Sequence, residues 1–91
     1  MRIELSHSAV KFLEKLDEKT KVKIKERINF LRNQITEFGI IPIKSLDIKC
    51  LKGQWEPYKR LRIGKIRIIF IIDKENDILS IYDIDNRGDV Y

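Results

Sequence analysis

Apolar residues recur with a helical period early in this chain and with an alternating one towards its end. Ile24, Ile28, Leu31, Ile35 and Phe38 follow one another at spacings of four, three, four and three, one face of a helix. Asp17 starts that helix, Gly39 stops it, and Pro42 prevents it from resuming. Upstream, Phe12, Leu13 and Leu16 make a shorter apolar stripe behind Ser6 and Ser8, both candidate N-caps, and predict a helix running to about Leu16. In front of it, "RIEL" at 2–5 alternates Ile3 and Leu5 with charge and predicts a short strand. The first 38 residues therefore predict a strand followed by a helical hairpin.

Residues 40–55 show no period, and "LKGQWEP" supplies turn residues. From Tyr58 the pattern alternates. "YKRLRI" (58–63), "KIRIIFIID" (65–73) and "DILSIYDID" (77–85) are three strand candidates. Gly64-Lys65 joins the first two and "KEND" (74–77) the last two, connections short enough to force antiparallel pairing. The order β-α-α-β-β-β predicts one α+β domain over residues 1–91. It is a mainly antiparallel sheet with the N-terminal helical hairpin packed on one face and the other face open.

Charge makes the open face interesting. The chain carries 19 Lys and Arg against 14 Asp and Glu, a formal charge of +5, which favours a polyanionic partner, nucleic acid or acidic protein. Arg60 and Arg62 lie two apart on one strand and so share a face. Arg67 lies on the next strand, and the register of the Gly64-Lys65 turn decides whether it joins them. On pattern alone these arginines read first as solvated strand residues that discourage edge pairing. Gathered together, they would present forked, permanently charged donors suited to phosphate and to an electron-rich phosphorane. The lysines and glutamates of residues 19–27 read as the solvated face of the second helix.

Other chemistry is scarce. With one Cys and one His, the chain has neither an internal disulfide nor the ligand spacing of a structural zinc. Cys50 reads as a small filler, and His7, at the start of the first helix, is poorly placed for the arginines. Trp55 and Tyr58 are either anchors of the loop before the sheet or rings for base stacking. No leader-like segment or long apolar run is present, so a soluble protein of the cytoplasm, away from membranes, is expected.

The ordered set "LKG…YKRLRIGKIRIIFIID…SIYDIDNRGDVY" resembles the RelE/ParE superfamily of toxins from bacterial and archaeal toxin–antitoxin systems. The resemblance covers essentially the whole chain and implies the RelE-like microbial RNase fold. For the RelE branch it implies a metal-independent endoribonuclease, without cofactor, that cuts messenger RNA in the ribosomal A site. There the 2′-hydroxyl attacks the neighbouring phosphate and leaves a 2′,3′-cyclic phosphate and a 5′-hydroxyl. By position, Arg60 or Arg62 would orient the 2′-hydroxyl, Arg67 and Arg87 would hold the phosphate, and the final Tyr91 would assist proton transfer or stack on a base. Lys52, Lys59 and Lys65 are the accompanying RNA-binding candidates. Asn86 stands where many relatives carry His, and arginine is a poorer proton acceptor than lysine.

The resemblance also implies partners: a small, partly disordered RelB-like antitoxin that folds onto this basic domain, and operator DNA for the complex. Two other functions belong to the same superfamily. One is a ParE-like inhibitor of DNA gyrase that acts by binding. The other is a degenerate toxin that only binds its antitoxin.

Overall fold

The computed structural model describes residues 1–86, so the candidates Arg87 and Tyr91 lie outside the described residues. Strand β1 (Arg2–Leu5) is followed by helices α1 (His7–Glu14) and α2 (Glu18–Phe38). Strands β2 (Asp47–Cys50), β3 (Lys59–Ile63), β4 (Ile66–Asp73) and β5 (Ile78–Asp85) complete the chain, with one turn of 3₁₀ helix at Gly53–Trp55 before β3.

Local chemistry sets both helix starts and the end of α2 where the pattern placed them, while α1 ends at Glu14, short of Leu16. Ser6 is the N-cap of α1: its Oγ accepts from the Ala9 N–H at 3.1 Å and donates to the Tyr82 carbonyl at 2.6 Å, tying the helix start to β5. Asp17 caps α2 through the Thr20 N–H at 3.2 Å and the Thr20 hydroxyl at 2.7 Å. Those hydrogen bonds from Thr20 hold the Asp17 carboxyl below the usual carboxylate range. At the other end of α2, Gly39 takes a left-handed φ of 66° and its N–H closes onto the Ile35 carbonyl.

The sheet runs β1-β5-β4-β3-β2, antiparallel throughout except for the parallel β1–β5 pair at the edge. One strand corrects the sequence-based expectation, because residues 40–55 are not wholly irregular. Asp47–Cys50 pairs antiparallel with β3 as an edge strand. Four residues with a single buried apolar position, Ile48, are too short to show a period, and the β3 backbone supplies what pattern could not.

Ile24, Ile28 and Leu31 of α2 and Ala9 and Leu13 of α1 pack on Leu61, Ile68, Phe70, Leu79, Ile81 and Ile84. The core thus lies between the hairpin and one sheet face. Phe38 of the predicted stripe lies beyond that contact and is 62% exposed. Ile81 and Ile84 are three apart on one strand, yet both are buried. Strict alternation would place them on opposite faces. A bulge resolves this: Ile69 pairs with Asp83 and Phe70 with Ile81, so Tyr82 is an extra residue in β5.

Candidate functional site

The β3–β4 register brings the three arginines together. Arg62 stands directly opposite Arg67, and Arg60 opposite Ile69, so Arg60, Arg62 and Arg67 share the sheet face away from the helices. Two rows of side chains cross this face. One reads Asp47, Arg62, Arg67, Asp85 and the other Lys49, Arg60, Ile69, Asp83, taken across β2, β3, β4 and β5. Like charges directly opposite each other are unfavourable in a sheet. Here the Arg62–Arg67 juxtaposition is flanked on both sides by carboxylates.

Asp47 holds two of the arginines at once. Its Oδ1 accepts from Arg60 Nη2 at 3.0 Å and its Oδ2 from Arg62 Nε at 2.9 Å. On the far side, Arg67 Nη2 lies 3.6 Å from Asp85 Oδ1. The three guanidinium groups differ in surroundings. The Arg67 side chain is 5% exposed and that of Arg60 16%, whereas that of Arg62 is 53% exposed. A guanidinium shielded from water attracts an anion more strongly than a solvated one, because less of its field is screened. The strongest anion site should therefore lie on the Arg60–Arg67 side of the patch.

A cavity of about 320 Å³ occupies that position, lined by Lys49, Cys50, Leu51, Lys52, Arg60 and Arg67. Among the described residues, four cations and no carboxylate line it. The Nε of Arg60 is buried without a hydrogen-bond partner among the described residues, leaving a donor for a ligand. The cavity can hold a phosphate-sized anion and favour one that gains charge during a reaction. Among the described residues, no group of three His, Cys, Asp or Glu side chains is arranged to hold a metal ion.

Of the residues singled out by sequence, the fold brings Lys52, Arg60 and Arg67 into this cavity. Arg62 shares their sheet face but sits at the solvated rim, engaged by Asp47. Lys59 pairs with Cys50 and Phe70, which the strand alternation places on the opposite face from Arg60, and its Nζ reaches the Pro57 carbonyl at 3.5 Å. Lys65 is exposed in the β3–β4 turn beside Gly64, whose φ of 60° the turn requires. His7 is exposed at the first position of α1, and Cys50 is exposed rather than a filler, because its strand is the sheet edge.

Sequence reasoning missed Lys49 and Asp47, both on the unrecognised β2. A faint signal existed. "DIK" alternates charge around Ile48, and its Asp-x-Lys is the antiparallel complement of the Arg-x-Arg in β3.

A family model described as the ParE toxin of the type II toxin–antitoxin system parDE matches residues 3–91. A protein of Methanocaldococcus jannaschii named for toxin RelE1 is 34% identical over 89 residues, 98% of this chain and 92% of that one. A chain of the archaeal RelE–RelB complex from Pyrococcus horikoshii superposes with a TM-score of 0.73 at 21% identity, covering 98% of this chain and 97% of that one. The isolated Escherichia coli RelE toxin gives a TM-score of 0.68 at 11% identity, over 94% of this chain and 83% of that one.

Proposed function

The chain belongs to the RelE/ParE family of toxins from type II toxin–antitoxin systems, and from that premise we propose that it is a ribosome-dependent messenger-RNA endonuclease. In this reading the 2′-hydroxyl of an A-site nucleotide attacks the adjacent phosphorus. The bond to the 5′-oxygen breaks, leaving a 2′,3′-cyclic phosphate and a 5′-hydroxyl. The proton lost from the 2′-oxygen passes to a base, and a second proton reaches the departing 5′-oxygen.

The observation that carries the proposal is the cavity in which buried Arg67 meets Arg60, Lys49 and Lys52, with no carboxylate among its described lining residues. The phosphorane gains negative charge as the 2′-oxygen adds. Cations already in place stabilise that gain without reorganising, the kind of term worth about 10²- to 10³-fold for one well-placed donor. Arg67 would hold the non-bridging oxygens and Arg60 would orient the attacking sugar. A guanidinium does not accept a proton near neutrality. Proton transfer therefore falls to other groups; in this reading Tyr91 would assist it or stack on a base, with Arg87 as a further phosphate ligand.

RelB-type partners accompany RelE in the solved complexes of relatives. A RelB-like antitoxin is accordingly the proposed regulator. Exposed Phe38, Ile40 and Ile43, at 62%, 55% and 53%, offer it apolar surface at the end of α2 and in the loop that follows. The proposed place of action, on translating ribosomes, is the cytoplasm.

A second reading, gyrase inhibition by binding alone, is favoured by the ParE description of the matching family and by the two aspartates that engage the arginines. One experiment separates the two. On induced expression, primer extension should reveal codon-phased cuts in translated messages, and Arg67→Ala should abolish both the cuts and growth arrest. Loss of plasmid supercoiling with intact messages would instead assign the chain to gyrase.

A further inference from the structure

Trp55, Tyr58 and Tyr82 meet beside the cationic cavity. The Trp55 ring centroid lies 6.1 Å from that of Tyr58 and 6.0 Å from that of Tyr82, with interplanar angles of 83° and 69°. The Tyr58 and Tyr82 centroids are 5.3 Å apart at 58°. The two Trp55 contacts are edge-on and the tyrosine pair is tilted, so none of these three pairs stacks face to face. Together with Gln54 the three rings line an open cavity of about 300 Å³.

The core does not account for Tyr82. Leu79, Ile81 and Ile84 already fill the buried side of β5, and Tyr82 is the extra residue of the bulge, 47% exposed. Bulges re-aim side chains in this way and are frequent beside functional sites.

The aromatic cluster is continuous with the cationic cavity through the backbone. The Leu51 N–H donates to the Tyr58 carbonyl at 3.0 Å, extending the β2–β3 ladder, and Leu51 itself lines the cationic cavity. Tyr58 precedes Arg60 by two residues, about 7 Å along an extended chain, a separation that one nucleotide bridges. Cations flanking half-exposed rings are the pairing used by proteins that bind single-stranded nucleic acid, where the backbone follows the charge and the bases stack on the rings.

We propose that Trp55, Tyr58 and Tyr82 form a nucleobase-stacking subsite for single-stranded RNA whose phosphate occupies the Arg60–Arg67 cavity. The Gln54 amide supplies a donor and an acceptor for the edge of the base. The identity of the ligand rests on the ribonuclease reading, and the adjoining cations favour RNA over an apolar polypeptide.

Trp55 is the only tryptophan in the chain, so its fluorescence reports on this subsite alone. The probes are an adenylate trinucleotide and a ribose–phosphate trimer lacking bases, added to the purified protein without ribosomes. The trinucleotide should quench Trp55 and bind about fivefold or more tightly than the abasic trimer. Tyr82→Leu, which keeps apolar bulk without a ring, should abolish that preference and leave affinity for the abasic trimer unchanged. Tyr82→Ala should do the same, with circular dichroism checking its fold. Equal binding of the two probes would overturn the proposal, as would a preference that survives in Tyr82→Leu. Shielding of Trp55 by a co-expressed antitoxin but not by the trinucleotide would assign the rings to a protein interface and also overturn it. Base preference without message cleavage in cells would count against the endonuclease alone, and cleavage without base preference against the subsite alone.

Discussion

Asp47 faces Arg62 across the β2–β3 ladder and binds its Nε at 2.9 Å, while the other oxygen of the same carboxylate binds Arg60 at 3.0 Å. One aspartate thus occupies donors that a phosphate would use, and a carboxylate beside a phosphate site opposes anion binding. Asp47→Asn should therefore raise affinity for single-stranded RNA by about two- to fivefold, the scale of an exposed ion pair. Fluorescence anisotropy with a labelled oligoribonucleotide measures it. Unchanged or weaker binding would mean that Asp47 aligns the arginines rather than competing for them.

The arginines should not be equivalent. Arg67→Lys keeps the charge but loses the two-point fork in a buried position, and should slow cleavage by about 100-fold. Arg62→Ala removes a group at the solvated rim and should cost less than about threefold. Cleavage rates on programmed ribosomes, with thermal melts to confirm folding, make the comparison.

Lys49 lines the cavity although nothing in the chain's periodicity singled it out. If it neutralises an RNA phosphate, Lys49→Ala should weaken RNA binding at low salt. It should also reduce the slope of log affinity against log salt by about 0.7. Lys59→Ala, on the other sheet face, should leave that slope unaltered. Titrations at three or more salt concentrations test both.

Two aspartates couple stability to pH. Hydrogen bonds from the Thr20 side chain and backbone lower the Asp17 pKa, and those from the Asn76 side chain and backbone lower that of Asp73. A folded pKa below the unfolded value means the unfolded chain binds more protons, so stability rises with pH through that range. Each contribution is present at neutral pH and is lost as pH falls through the depressed pKa. Asp17→Ala should lower Tm at pH 7, and its difference from the wild type should close in acid below the carboxylate range. A constant Tm difference across that range would show that the cap does not depend on the carboxylate charge.

Much of this molecule was legible from one dimension. The capping residues Ser6, Asp17 and Gly39, the helical stripe from Ile24 to Leu31 and the meander from Tyr58 onward all act through near neighbours in the chain. Alternation, a local property, put Arg60 and Arg62 on one face, while the family resemblance singled out Arg67 as a phosphate ligand.

Tertiary structure decided what those residues do to one another. The turn at Gly64 set Arg62 opposite Arg67, and pairing with β3 made a strand of Asp47–Cys50. That pairing delivered Asp47 to two arginines and Lys49 to the cavity. The bulge at Tyr82 reconciled Ile81 with Ile84 and brought a third ring to Trp55 and Tyr58. The physical reason is common to these cases. Helix caps and strand alternation depend on residues a few positions apart, whereas register, edge pairing and cross-strand charge contacts depend on segments that only folding brings together.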